Sequence, residues 1–278
     1  EAITRVIEKL QSRVVAYELG AMDMAATGVP LVLPRVSSSA SAYWVAENST
    51  ITASDVAFEQ LSLTPKTAAG RVVLSNLLLE TSNPAADTII EEDLASQLGL
   101  AVDSAALIGG GTGEPVGIIS TTGVGSVASV MTGTAVTSLA TLMEFQDDLS
   151  TANAYRGRLG WAIHPTVMSY IRNMTVDYNG TTSIPLTAQA TPEGYQDSIL
   201  GHRYAMSTQL TAPSSGSGTN SMIFGNWEDL MIARWGGLRL LASNTSDDAF
   251  SKDQMHIRGT IRVDVGLRHV ESFSYASS

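Results

Sequence analysis

Apolar residues recur at fourfold spacing along one stretch of this chain: Ile90, Leu94, Leu98 and Val102 fall on one side of a helical wheel. That spacing predicts an amphipathic helix. Asn83 suits its N-cap and Pro84 its first position. Asp87, Glu91, Glu92 and Asp93 sit early, where the helix dipole favours anions, and Gly109 to Gly111 end it. From Pro84 to Ile108 such a helix is about 37 Å long.

Before it, residues 1–29 carry a weak helical period through Ile3, Val6, Ile7, Leu10 and Val14, read as an N-terminal arm whose apolar side needs a partner. VPLVLPRV and SAYWVAE, over about 30–46, have strand character, and Pro30 and Pro34 place that strand at an edge or make it irregular. Val56 and Phe58 alternate, then Leu61 and Leu63, and the slip between the pairs predicts a bulge. The tip NSTITASD is small, polar and long for a hairpin turn. The result is a projecting two-stranded hairpin that runs into the helix.

Beyond the helix, 120–138 is rich in Gly, Ser, Thr and Val. LATLMEFQDDLSTA predicts a helix with Leu139, Leu142, Met143 and Leu149 on its face, RLGWAIHP a buried strand, and PTVMSYIRNM a short helix opened by Pro165. Residues 176–200 read as a long loop. HRYAMST, SMIFGNW and MIARW are strand-like. The tail alternates through Ile257, Ile261, Val263, Val265 and Leu267, with Arg258, Arg262, Asp264 and Arg268 between them. The ridge of the long helix is expected to pack on Ile261, Val263 and Val265. No internal repeat is present.

Composition narrows the chemistry. The chain has 278 residues, 44% hydrophobic and 15% charged, with 24 glycines, which is globular rather than disordered. Its net charge is −11 and its lysines are Lys9, Lys66 and Lys252. No basic stripe is set out along the sequence to replace counterions on phosphate. With no cysteine, disulfides, thiolate metal sites and cysteine nucleophiles are excluded. No apolar run approaches the ~20 residues of a membrane span. The first residue, Glu1, fits either a trimmed chain or a cleaved precursor.

Individual motifs add little catalysis. GGGTGEP at 109–115 resembles a phosphate loop, but the Lys of such a loop is missing and the glycines end a helix instead of starting one. A helix cap and turn is the stronger reading. The acidic cluster reads as a solvated first turn rather than a metal site. His164, His202, His256 and His269 show no ligand spacing. No GxSxG elbow accompanies His164, which reads as a satisfied buried histidine more readily than as a catalytic one. Tyr43 and Trp44 read as interface anchors rather than a ligand platform.

These segments together resemble a known family. The hairpin ending in VAENSTITASDVAF, the returning strand with PKTAAG, the long helix and the ALIGGGTGEPVGI turn are similar to tailed-phage major capsid proteins of the Hong Kong 97 fold. The pattern is closest over 43–117. The later order of WAIHPTVMSYIRNM, LGHRYAMS and a sheet-forming tail follows the same family.

The resemblance implies an α+β fold and a structural role. It implies an N-terminal arm at 1–30, an extended loop at 31–80, and a peripheral domain with a spine helix at 81–130. An axial domain would fill 131–235, peripheral return strands 236–269, and a last axial segment 270–278. Copies would form pentamers and hexamers and enclose double-stranded DNA without sequence-specific contacts. Scaffold, maturation protease, portal and decoration protein are the implied partners, with assembly in the host cytoplasm, residence in the virion, and no cofactor, metal or membrane. Glu1 then fits a protease-generated terminus, and the acidic charge fits a lining that does not hold DNA tightly.

The implied inter-subunit contacts are Tyr43, Trp44, Glu47, Asn48, Thr50 and Asp55. The family's founding member joins an extended-loop Lys to a neighbour's Asn. Here the tip from Glu47 to Asp55 has no lysine, which implies a non-covalent shell. Two other readings stand beside it: an encapsulin-like compartment shell, and a soluble hydrolase using a serine with His164.

Overall fold

The computed structural model describes residues 14–28, 30–38, 40, 42–50, 53, 55–81, 86–128, 131–132, 135–136, 139–173, 175–178, 182–185, 190–191, 194–195, 198–213, 219–245 and 249–277. The early periodic positions Ile3, Val6, Ile7 and Leu10, the proposed cap Asn83, and Pro84 lie outside them. In chain order the elements begin α1 (Val15–Leu19), β1 (Met22–Ala25), β2 (Leu31–Ser38), β3 (Ala57–Leu63), β4 (Lys66–Ser75), α2 (Asn76–Thr81) and α3 (Ala86–Ile108). Then come β5 (Gly125–Val127), β6 (Met131–Thr132), β7 (Ala135–Val136), α4 (Leu139–Thr151), β8 (Leu159–Ile163) and α5 (Pro165–Asn173). Four short strands follow: β9 (Thr175–Tyr178), β10 (Thr182–Pro185), β11 (Ala190–Thr191) and β12 (Gly194–Tyr195). The chain closes with β13 (Ser198–Ile199), β14 (His202–Met206), β15 (Met222–Asn226), β16 (Leu230–Arg234), β17 (Arg239–Ser243), α6 (Ala249–Lys252), β18 (Gln254–Leu267) and β19 (Phe273–Ala276).

Two mixed sheets carry these elements. The first is built on β18, whose 14 residues make it long enough to serve several partners. One edge takes β4 over its whole length. The other takes β17 and then β16, with β1 parallel to β16 at the rim. The residues between the hairpin and α3 that read as a returning strand, Lys66 onward, are therefore sheet, and the hairpin ends at Leu63.

Helix α3 lies on one face of this sheet. Leu94, Leu98 and Val102 are buried with Ile257, Ile261 and Val263, and Ile90 packs at the margin. The fit depends on two glycines paired across the strands, Gly70 and Gly259. A Cβ on Gly70 would stand 2.7 Å from Leu94 Cδ1, and one on Gly259 2.8 Å from Leu98 Cδ1. Their missing side chains form the notch in which the leucines sit. Val265 departs from expectation: it joins Ala106, Leu107 and Ile118 in a neighbouring cluster, because β18 runs on past the leucine ridge.

The second sheet has the order β13-β14-β8-β15-β19-β5 and is covered by α4 and α5. Trp161 is its centre, 5.5 Å from Phe145 and 4.3 Å from Phe224 between ring centroids, with its indole N–H donating to Ile199 O at 3.2 Å. Phe145, not Met143, joins Leu142 and Leu149 on the buried face of α4; Leu139 is half-buried and Met143 is exposed. Residues 176–200, read as a loop, contain the hairpin of β9 and β10, the short pair of β11 and β12, and β13. Their polar composition gives no clear period from which these short strands could be read. Helix α2 was likewise not legible beside the stronger signal of α3.

The N-terminal residues that are described do not wait for a partner. Val14, Ala16 and Leu19 are buried against the body. The N-cap position of α1 is Val14, which has no side-chain acceptor. Asp103 of α3 supplies one instead, accepting from Ala16 N at 3.2 Å and from the Ser207 hydroxyl at 3.0 Å. Burial pushes the Asp103 carboxyl above the usual carboxylate range, against the opposing pull of Ser207 and the α1 amides.

A raised folded-state value means that the fold favours the protonated acid. That contribution is full below the unfolded value and is lost as pH rises through the folded one. Asp103→Asn keeps an acceptor and carries no charge. It is expected to lose the gain in relative stability that the unsubstituted chain shows on acidification. Asp103→Ala strands the buried partners and is expected to cost about 1–3 kcal/mol. Thermal melts of the three proteins at two pH values separate these outcomes.

Candidate assembly surface

Strands β2 and β3 pair only with each other among the described residues. Their register puts Leu31 opposite Leu63 and Leu33 opposite Leu61 on one face, and Val36 opposite Phe58 on the other. The first face is seated at its root: Leu63 is 2% exposed and packs with Ala26 and Ala233, with Leu31, Leu33, Leu61 and Trp235 around them. The second face is bare, with Phe58 69% and Val36 48% exposed. Both faces are apolar, which is why the spacing slips between Phe58 and Leu61. No bulge sits there; the irregularity falls on the facing strand, between Val36 and Ser38.

The root is fixed by a buried acid. Asp264 Oδ2 accepts from Thr64 N at 2.8 Å, and its Oδ1 takes Lys66 Nζ at 3.4 Å. Sequence alternation had placed Asp264 with the outward-pointing arginines of β18, yet it is buried. It ties the last turn of the hairpin to the start of β4 and occupies Lys66, the lysine nearest the loop. A second ion pair, Asp23 with Arg234, holds β1 to β16, with Arg234 Nε 2.6 Å from Asp23 Oδ1. Tyr17 donates to the same oxygen at 3.3 Å, and burial, then Asp23, pushes its phenol well above its ordinary value.

SAYWVAE is not strand: residues 42–50 follow an irregular course with a turn at Glu47 and Asn48, where Asn48 adopts φ 65°. Tyr43, Trp44, Glu47, Asn48, Thr50 and Asp55 are all exposed, and the Trp44 side chain is fully uncovered. They share one projecting segment, although nothing in a single chain joins them into a site. Phe58 is exposed like them, and the sequence reading did not single it out. Its signal was present as an apolar residue in an alternating run, but alternation alone does not say which face is covered.

The other candidates resolve into structure. The glycine segment folds back on the end of α3 and feeds its last carbonyls: Ile118 N donates to Ala106 O at 3.0 Å, Ile119 N to Leu107 O at 3.1 Å, and Gly117 N to Gly109 O at 2.9 Å. It is a helix terminator. Glu91, Glu92 and Asp93 are exposed on the first turns of α3, and no group of three potential metal ligands occurs among the described residues. His164 Nδ1 accepts from Thr166 N at 3.2 Å and so caps α5. His202 Nε2 is 2.7 Å from the Tyr155 hydroxyl. Burial lowers the pKa of both histidines. Among the described residues, no helix is long and apolar enough to cross a membrane.

Proteins similar to this chain in sequence or in fold include phage capsid proteins. A major capsid protein of Halomonas phage phiHAP-1 is 24% identical over 97% of this chain and 41% of its own length. That of Klebsiella oxytoca phage phiKO2 is 24% identical over 96% of this chain and 64% of its own length. The chain thus spans about half the length of these curated relatives. Among solved structures, the capsid of a native GTA particle computed with C5 symmetry superposes with a TM-score of 0.76 at 16% identity, covering 96% of this chain and 91% of that one. Gordonia phage Cozz gives 0.69 at 18%, covering 95% and 86%. These likenesses establish the Hong Kong 97-type α+β fold and favour neither a compartment shell nor a hydrolase. The phage capsid family model matches residues 1–277, and the chain belongs to that family.

Proposed function

We propose that this chain is the structural subunit of a closed icosahedral shell that encloses double-stranded DNA, built from pentamers and hexamers of itself. The carrying observation is the hairpin: one apolar face is seated on its own body, and the other, with Val36 and Phe58, is left uncovered. An isolated two-stranded hairpin is marginal in water, and apolar side chains left bare side by side on one face favour an interaction site. The occupant is a neighbouring copy, met through Tyr43, Trp44, Glu47, Asn48, Thr50, Asp55 and Phe58.

In this reading the five-stranded sheet with α3 is the peripheral unit. The six-stranded sheet with α4 and α5 is the axial unit, completed by the last residues. The role is structural, not catalytic, with scaffold, maturation protease, portal and decoration protein as further partners. Assembly takes place in the host cytoplasm and the product is the virion.

Deleting Asn48 to Ser54 tests the proposal. The subunit is expected to stay folded and to lose shell formation, seen by sedimentation and negative-stain microscopy. Normal shells from the deleted chain would refute the hairpin's role. Elution of the intact chain only as a small oligomer would refute the shell itself.

A further inference from the structure

We infer that residues 14–26 form a strap that clamps the six-stranded sheet to the five-stranded one, with Asp103 of α3 as its catch. Seated, the strap holds the two sheets at one angle; released, it lets them swing. This device goes beyond the shell reading above and does not depend on it.

The strap meets both sheets. Helix α1 lies on β8 and β14 of the six-stranded sheet. Leu19 seats over β8 where Gly160 leaves room: a Cβ on Gly160 would stand 3.1 Å from Leu19 Cδ2. The chain then turns at Gly20, with φ 115°, and becomes β1, which pairs with β16 at the rim of the five-stranded sheet. Asp23 holds Arg234 there, and Ala26 N donates to Arg234 O at 2.9 Å. The chain itself crosses between the sheets at 227–229 and at 268–272, and these crossings are tied together. Ser272 Oγ donates to Asp229 Oδ2 at 2.7 Å, and Arg268 N to Asp229 O at 2.8 Å. Two crossings joined at one point make a hinge. It stands at the start of β8, where Asn226 pairs with Leu159. The catch stands at the far end, where Ser207 N donates to Ile163 O at 3.1 Å. At ~3.3 Å per residue that is about 13 Å from the hinge, which gives the catch leverage.

One buried carboxyl joins the three parts. Asp103 reaches from α3, which lies on the five-stranded sheet, and accepts from Ala16 N of the strap and from the Ser207 hydroxyl at the end of β14. At the other end of α1, Arg203 of β14 donates to Glu18 O and Leu19 O. Burial pushes the Asp103 carboxyl up, the Ser207 hydroxyl and the α1 amides pull it down, and the charge of Glu18 on α1 adds to the rise. Release of the strap exposes Asp103 to water and returns it to the ordinary carboxylate range. The seated strap therefore favours the protonated acid. Its hold is full below the ordinary value and is lost as pH rises through the raised one. With one proton involved, opening grows by at most about tenfold per pH unit across that window.

Amide hydrogen exchange of the full chain tests this. Protection factors at residues 16–21 are expected to fall by up to about tenfold per pH unit within the window, while those of β18 hold. Asp103→Asn is expected to make the same amides indifferent to pH. Gly20→Ala strains a φ of 115° and brings a Cβ to 2.9 Å from Arg158 Cδ. It unseats the strap from its other end and should lower protection at every pH. The chain has no cysteine, so Glu91→Cys on α3 with Thr151→Cys on α4 places one spin label over each sheet. One narrow distance is expected at acid pH, and a broad spread at high pH or with Gly20→Ala. Protection at 16–21 that ignores pH, a pH response that survives Asp103→Asn, or a distance that stays narrow while the strap opens overturns the inference. So does loss of protection in β18 in step with the strap, because the opening would then be global unfolding.

Discussion

Leu98→Ala is expected to unfold or strand the subunit, at a cost of about 2–5 kcal/mol. The side chain is 4% exposed and enters the notch made by Gly259. Nothing nearby can fill the space it would leave, because the sheet beneath it carries glycine where a collapsing side chain would stand. Leu94→Ala empties the same seat from the other side and belongs in the same range. The contact matters beyond its own area: α3 and β18 join two parts of the chain more than 150 residues apart in sequence, so its loss loosens both.

Glu91→Ala, on the exposed side of α3, is expected to fall within about 0.5 kcal/mol of the unsubstituted chain. Soluble yield and urea midpoints of the three variants decide the matter. Equal values would mean that the ridge is not buried. A coupling test sharpens it. Gly259→Ala alone should destabilise by crowding Leu94 and Leu98, and Gly259→Ala with Leu98→Ala should cost less than the sum of the two.

Gly117→Ala should do comparable damage by overpacking. A Cβ there would lie 2.5 Å from Gly109 N and 2.8 Å from Ala105 O and Ile108 N. These are backbone atoms that cannot swing aside as a side-chain end can. Gly109→Ala meets Pro115 O at 2.3 Å and Ala105 O at 2.5 Å. Either change pries the segment off the end of α3 and exposes carbonyls that Ile118, Ile119 and Gly117 now satisfy. About 3 kcal/mol is expected, the upper end for overpacking. Gly110→Ala is the control in the same loop: its Cβ would find only Glu114 Oε1, at 3.5 Å, and the change should be nearly neutral. A protein in which all three variants melt together would show that the loop is not the clamp described.

The amino-acid sequence alone determined the elements whose period is strong and local. Ile90, Leu94, Leu98 and Val102 identified α3, Trp161 lay in a buried strand, and the tail read as the long strand β18, because 3.6- and 2-residue periods are written directly in side-chain order. The family resemblance of 43–117 followed from the same residues. Short elements escaped. Helix α2, six residues long, and the strands between Thr175 and Ile199, two to four residues each, are too short to write out a period.

What only the tertiary structure decided was pairing between distant positions. Asp103 caps α1 from 87 residues away, Asp264 is buried where the hairpin root covers it and accepts from Thr64 N, and the Gly70–Gly259 notch exists only once β4 lies beside β18. Local order dictates which way a residue points relative to its neighbours, but sheet register, settled by the packing of the whole core, dictates which residues from other segments stand beside it.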